Sequence, residues 1–228
     1  MQPRFLAFVI ASAALAVVVL RVDRDGLANQ LALGLTTGAF VWFFARRSDV
    51  PWRQVVCAIL VATTGEVVLS LGWGLYSYRH LLIPLYVPPG HGLFYLLAAD
   101  SARQPFLRDH ERAITRAVLV VGTILAIGSL ILFSDAWGFL WWLAAVLLIR
   151  RSANQLLLSA CFVYTILVEW AGTAIGNWHW AAAVPFVGLR SANPPAGVGI
   201  LYILLDLIVV ALTTSAVPFL RAPVVESS

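Results

Sequence analysis

The chain has 228 residues, 61% of them hydrophobic and only 11% charged, with a mean hydropathy of +0.89. That composition excludes an ordinary soluble domain and points to a helical membrane protein, in which lipid stands in for part of the core. The formal charge of +4 comes from 15 arginines, with no lysine, spread over short loops rather than gathered on one face. Nucleic-acid binding is therefore not expected, and the charge reads as a topology signal.

In chain order, the apolar run up to Leu20 ends in R-V-D-R-D-G without a small-x-small cleavage site, so it reads as a retained first transmembrane helix. Further apolar stretches predict eight spans, at 4–20, 27–45, 54–75, 84–102, 114–133, 136–149, 154–177 and 198–219. The sixth is short, but its W-G-F-L-W-W start and the Arg150-Arg151 pair at its end suit a helix anchored at both interfaces. Arg4, Arg46, Arg47, Arg53, Arg103, Arg108, Arg112, Arg116, Arg150, Arg151 and Arg221 fall on one side of this layout, against Arg21, Arg24, Arg79 and Arg190 on the other. The bias predicts a multi-pass protein of the cell's inner (cytoplasmic) membrane with both termini in the cytoplasm. Cys57 and Cys161 both lie inside apolar runs and read as small buried hydrophobes.

Landmarks recur along the chain. Arg46-Arg47-Ser48 returns as Arg150-Arg151-Ser152 and Cys57 as Cys161, both at an offset of 104. Glu66 returns as Glu169, Gly74 as Gly176, Pro88-Pro89 as Pro194-Pro195 and Asp100 as Asp206, at offsets of 102 to 106. The expected fold is an all-α polytopic membrane protein of two parallel four-helix repeats, 1–112 and 113–228, forming one membrane domain.

The candidate site follows from the buried polar residues. A carboxylate at the bilayer centre costs about 2.5–3.5 kcal/mol, so Glu66, Glu169, Asp100 and Asp206 should face the bundle interior. The aspartates lie twelve residues after Pro88 and Pro194, which places them at membrane depth. Thr165, Glu169, Thr173 and Asn177 recur every fourth residue, as do His91 with Tyr95 and Tyr202 with Asp206. Spans 3, 4, 7 and 8 are thus expected to line a polar cleft, with the other four outside it. Trp73, Tyr76, Tyr78, Trp178 and Trp180 cluster where each half leaves the membrane; they form either an interfacial belt or an aromatic mouth for an apolar or polyene ligand. Tyr95, Asn177 and Asn193 complete the expected binding set. Glu66, Glu169, His91, Asp100 and Asp206 are the expected catalytic set. Plain glue between helices is the alternative for the carboxylates. No cofactor is predicted; Glu66, His91 and Glu169 could hold a metal, although no E-x-x-H or H-x-x-x-H spacing supports it.

The stretch E-x5-G-W-G-L-Y-S-Y from Glu66, followed by Ile83-Pro84, resembles the integral-membrane carotenoid hydratases and related carotenoid biosynthesis proteins, through Glu66, Gly72, Gly74, Tyr76 and Tyr78. Glu169, Gly176, Trp178 and Trp180 follow the same pattern more loosely. The P-P-G-H and N-P-P-A-G segments depart from it. The resemblance implies an acid-catalysed change, such as hydration, at a double bond of a lipophilic isoprenoid. One glutamate would then be the acid, with the other carboxylate or His91 orienting water. The partners expected are membrane lipids and a lipophilic small-molecule substrate; a small-molecule or ion transporter and a non-catalytic subunit or assembly factor are the alternatives. The oligomeric state is not legible.

Overall fold

The computed structural model describes residues 3–80 and 82–214. Arg221 and the last five residues of the eighth expected span lie outside the described residues. The chain is helical, with helices α1 (Pro3–Val22), α2 (Leu27–Ala45), α3 (Trp52–Glu66), α4 (Val87–Arg103), the short α5 (Pro105–Asp109), α6 (Glu111–Phe133), α7 (Ala136–Arg151), α8 (Gln155–Ile175) and α9 (Ile200–Thr213). Five helical stretches, Pro3–Val22, Leu27–Ala45, Trp52–Gly72, Glu111–Phe133 and Gln155–Ile175, are long and apolar enough to cross a membrane. The protein is a helical membrane protein. Its apolar surface is turned outward, as on α6, where Val120, Val121, Ile124, Ile131 and Leu132 are all exposed.

Local sequence explains where the elements start and stop. Pro88 and Pro89 sit in the first turn of α4, where a missing N–H leaves no bond unmade. Asp135 and Asn154 cap α7 and α8 by accepting from Gly138 N at 2.9 Å and Leu157 N at 3.2 Å. Gly176, at φ +81°, ends α8 in the left-handed region that a side chain would disfavour. Helix α3 runs on as a π-helical segment, Val67–Gly72, immediately after Glu66. This wider turn, of a kind frequent at functional sites, sends the chain back over the helix end, and Ser70 Oγ ties it there by donating to Tyr76 O at 3.0 Å.

Helices α3, α4, α8 and α9 form the centre: α3 packs on α4 and α9, and α8 on the same two. Helices α1 and α2 lie against α4 and α8 on one side, while α6 and α7 pack against α8 on the other. The sheet among the described residues is one ribbon of two antiparallel strands, β1 (Tyr76–Tyr78) and β2 (Trp178–Trp180). Its register is Tyr76 opposite Trp180, Ser77 opposite His179 and Tyr78 opposite Trp178. Successive strand residues face opposite ways, so both tyrosines and both tryptophans point to the buried face while Ser77 and His179 stay exposed.

Candidate functional site

Beneath the ribbon lies a cavity of about 280 Å³, with an almost entirely apolar wall. Helices α3, α4, α8 and α9 line it, as expected, but the wall is mostly apolar where a polar cleft was expected, because Tyr95, Thr173, Asn177 and Asp206 do not face it. A second expectation needs correcting, because α1 also contributes Leu15, Ala16, Val19 and Leu20, and α2 contributes Thr37. Of the four helices expected outside it, α6 and α7 stay clear of it. Helix α1 is drawn in because it packs directly on α8 and α4, and its apolar side chains complete the wall.

The polar groups in this wall are few and organised by the ribbon. Glu66 is buried, and its Oε2 accepts from the hydroxyls of Tyr76 and Tyr78, each at 2.7 Å. Its Oε1 lies 3.2 Å from His91 Nε2, close but outside hydrogen-bond geometry. The other nitrogen of His91, Nδ1, is hydrogen-bonded to the Tyr202 hydroxyl. Across the cavity, Glu169 Oε2 accepts from the indole N–H groups of Trp178 at 2.8 Å and Trp180 at 2.9 Å. No hydrogen bond or ion pair among the described residues reaches Glu169 Oε1. The two glutamates thus occupy parallel settings with different partners. Each receives two aromatic donors from one strand on Oε2, but only Glu66 has a basic neighbour.

Gly172 makes the second setting possible. A Cβ built there would lie 2.1 Å from Trp178 Cη2 and Cζ2, so only glycine lets the indole lie against α8 and reach Glu169. At Gly197 a Cβ would meet the α7 backbone, Gly138 O and Trp142 N, at 2.3 Å. No side chain fits at this position.

Two buried aspartates missed in the sequence hold the loops around the ribbon. Asp23 accepts from Gln30 Nε2 at 2.6 Å, Asn177 Nδ2 at 2.9 Å and Tyr86 Oη at 3.1 Å. Asp135, with no exposed surface, accepts from Ser129 Oγ at 2.9 Å and from the backbone N–H groups of Gly138, Ala192 and Ala196 at 2.8–3.0 Å. The S-D-x-x-G pattern at 134–138 is the signal that a cap search would have found.

The structure brings together six expected site residues besides His91 at the cavity: Glu66, Glu169, Tyr76, Tyr78, Trp178 and Trp180. The others stand elsewhere. Trp73 donates to Pro185 O at 3.0 Å and rests edge-on against Trp137. Asn177 serves Asp23 and Leu20 O, and Asn193 Oδ1 accepts from Trp180 N at 2.9 Å while its Nδ2 faces His179 Nδ1 at 2.9 Å. Tyr95 reaches toward Gln54 at 3.4 Å. Asp100 accepts from Ser48 Oγ at 2.7 Å and lies 3.7 Å from Arg103, toward the end of α4 away from the ribbon. Nine residues of helix, about 13 Å at 1.5 Å per residue, separate it from His91. Asp206 is buried, makes no hydrogen bond among the described residues, and sits one turn past Tyr202 on α9 outside the cavity wall.

Among the described residues, no three His, Cys, Asp or Glu side chains lie close enough together to hold a metal ion. Compared with known proteins, the chain matches no family model, no curated protein and no solved structure.

Proposed function

We propose that this protein is an integral-membrane enzyme that adds water across a double bond at the end of a lipophilic isoprenoid, by paired acid and base groups. The observation that carries the reading is the unequal setting of two carboxyls on one apolar cavity. Glu66 is fully engaged by two hydroxyls and His91, which suits the proton-supplying side. Glu169 keeps Oε1 unengaged and suits the side that orients and deprotonates water. The faces of Tyr76, Tyr78, Trp178 and Trp180 supply π surface for a carbocation formed between them. A volume of about 280 Å³ holds roughly nine water-sized groups, so one end group enters and the remaining chain lies in lipid. Leu204 and Ile208 belong to the cavity wall and are also exposed, which supports access from the bilayer at α9.

The same reading includes eight spans, made by α1 to α4 and α6 to α9, in two four-helix repeats with both termini cytoplasmic. Support comes from the ribbon, whose antiparallel register centred on Ser77 and His179 is what a two-fold axis along the membrane normal would produce. The substrate class rests on the resemblance carried by Glu66, Gly72, Gly74, Tyr76 and Tyr78.

The test is turnover of lycopene, an open-chain C40 polyene, and geranylgeraniol, a C20 isoprenoid, by the purified protein in lipid nanodiscs in H2¹⁸O. Product carrying one ¹⁸O from wild type, with little from Glu66→Gln at equal protein level, is expected. Equal yields from the two proteins, or none from wild type, would sink the proposal. A proton-coupled carrier is the second reading, favoured by one observation: Asp206 is a buried carboxyl without a hydrogen-bond partner on the side of Tyr202 away from the ribbon. Pigment or solute uptake into proteoliposomes that follows a pH gradient would select it.

A further inference from the structure

The atom that delivers the proton can be identified by elimination, resting on the hydration reading above. Glu66 has no oxygen left for a substrate, since Oε2 holds two hydroxyl groups and Oε1 faces His91. His91 has no nitrogen left either, because Nε2 faces Glu66 and Nδ1 is bonded to Tyr202. Tyr202 is different. Its hydroxyl makes one hydrogen bond among the described residues, to His91, and its side chain lines the cavity. A phenol oxygen carries one proton and two lone pairs, so a hydroxyl that accepts from Nδ1 keeps its own proton free to donate.

We propose that Tyr202 Oη is the proton donor to the substrate, with His91 as the proton store behind it and Glu66 as the counter-charge. In this assignment His91 carries protons on both nitrogens before the reaction, and Nδ1–H donates to Tyr202 Oη. As the reaction begins, the Oη–H bond breaks while the alkene π pair forms a C–H bond at the less substituted carbon. The Nδ1 proton moves to Oη in the same event, so Tyr202 is never left as a phenolate and His91 ends neutral. Water adds to the cation through its oxygen. The proton that the new oxonium loses goes to Glu169 Oε1 and returns through water to Tyr202 Oη, whose own proton passes back to His91 Nδ1. One alkene and one water are consumed, one alcohol forms, and every protein group regains its starting state. The unit joins three helices, α3, α4 and α9, so proton delivery requires Glu66, His91 and Tyr202 to be packed together.

Two changes at position 202 test this in nanodiscs, with lycopene and geranylgeraniol as the probes in H2¹⁸O. Tyr202→Phe removes the donor and keeps the ring. Its kcat should fall about 100-fold or more, the usual contribution of a general acid, with KM within about threefold of wild type. Fluorotyrosine placed at 202 keeps the hydroxyl and the packing but makes the phenol more acidic. Turnover should then change with the degree of fluorination, a dependence that a packing role would not produce. Wild-type turnover with Tyr202→Phe within threefold, or turnover indifferent to fluorination, overturns the assignment and leaves the hydration reading standing. An inactive wild type on both probes overturns that reading, and this assignment with it.

Discussion

Gly172→Ala is the perturbation that most directly probes how the ribbon holds its carboxyl. The new methyl would lie 2.1 Å from the Trp178 ring, less than any real contact, and the ring cannot swing aside while its Nε1 donates to Glu169 at 2.8 Å. Overpacking of this kind costs about 1–3 kcal/mol. Losing the hydrogen bond adds about 1–3 kcal/mol, depending on the charge of the carboxyl. The sum of roughly 2–6 kcal/mol corresponds to a fall in Tm of roughly 4–24 °C for a chain of this size. Thermal unfolding in detergent, followed by tryptophan fluorescence, would measure it. The decisive comparison is the same change in a Trp178→Phe background, where the colliding atoms are gone and the added cost should drop below about 1 kcal/mol. An unchanged Tm for Gly172→Ala, or the same loss in both backgrounds, would show that the close approach of Trp178 to α8 is not what excludes a side chain there.

Other expectations concern the loops. Asp135→Ala would strand three backbone N–H groups, that of Gly138 buried and those of Ala192 and Ala196 partly so, and the Ser129 hydroxyl, at about 3 kcal/mol or more. Size-exclusion profiles of detergent-solubilised protein should show loss of the monodisperse peak, and a normal profile would contradict the anchoring role. Arg79 donates to Ile175 O at 2.7 Å and Gly176 O at 2.9 Å, the carbonyls at the end of α8. Arg79→Ala should therefore speed amide exchange across 172–177 by roughly tenfold, while exchange in α6 stays unchanged. Uniform acceleration in both helices would point instead to general destabilisation.

The apolar runs revealed where helices form, because twenty or so consecutive apolar residues leave the backbone in lipid no other way to satisfy its hydrogen bonds. Glu66, Glu169 and His91 were legible for a related reason, since a polar group amid such runs must be drawn to the interior. The ribbon was not legible. Tyr-Ser-Tyr and Trp-His-Trp are three-residue segments about a hundred positions apart, and each is too short to show a strand period. Without the pairing, the aromatic side chains could be placed only in a loose cluster, with Trp73 among them. Tyr202 was visible as the helical neighbour of Asp206, yet its partner is His91 on a different helix, a relation that spacing along one helix cannot reveal. Asp23 and Asp135 read as loop residues beside helix ends, and only the fold turns them inward.

The ribbon also sets an order of events during synthesis. Strand β1 is made early and has no partner until β2 follows about a hundred residues later. At about 5–20 residues per second, that leaves an unpaired edge for roughly 5–20 s, with Glu66 roofed on one side alone. A chain severed between α5 and α6 would leave each piece in this state, with a bare strand and a half-covered carboxyl. The two pieces would regain both only by meeting in the membrane. Assembly of the interior is thus a late step, governed by the last quarter of the chain.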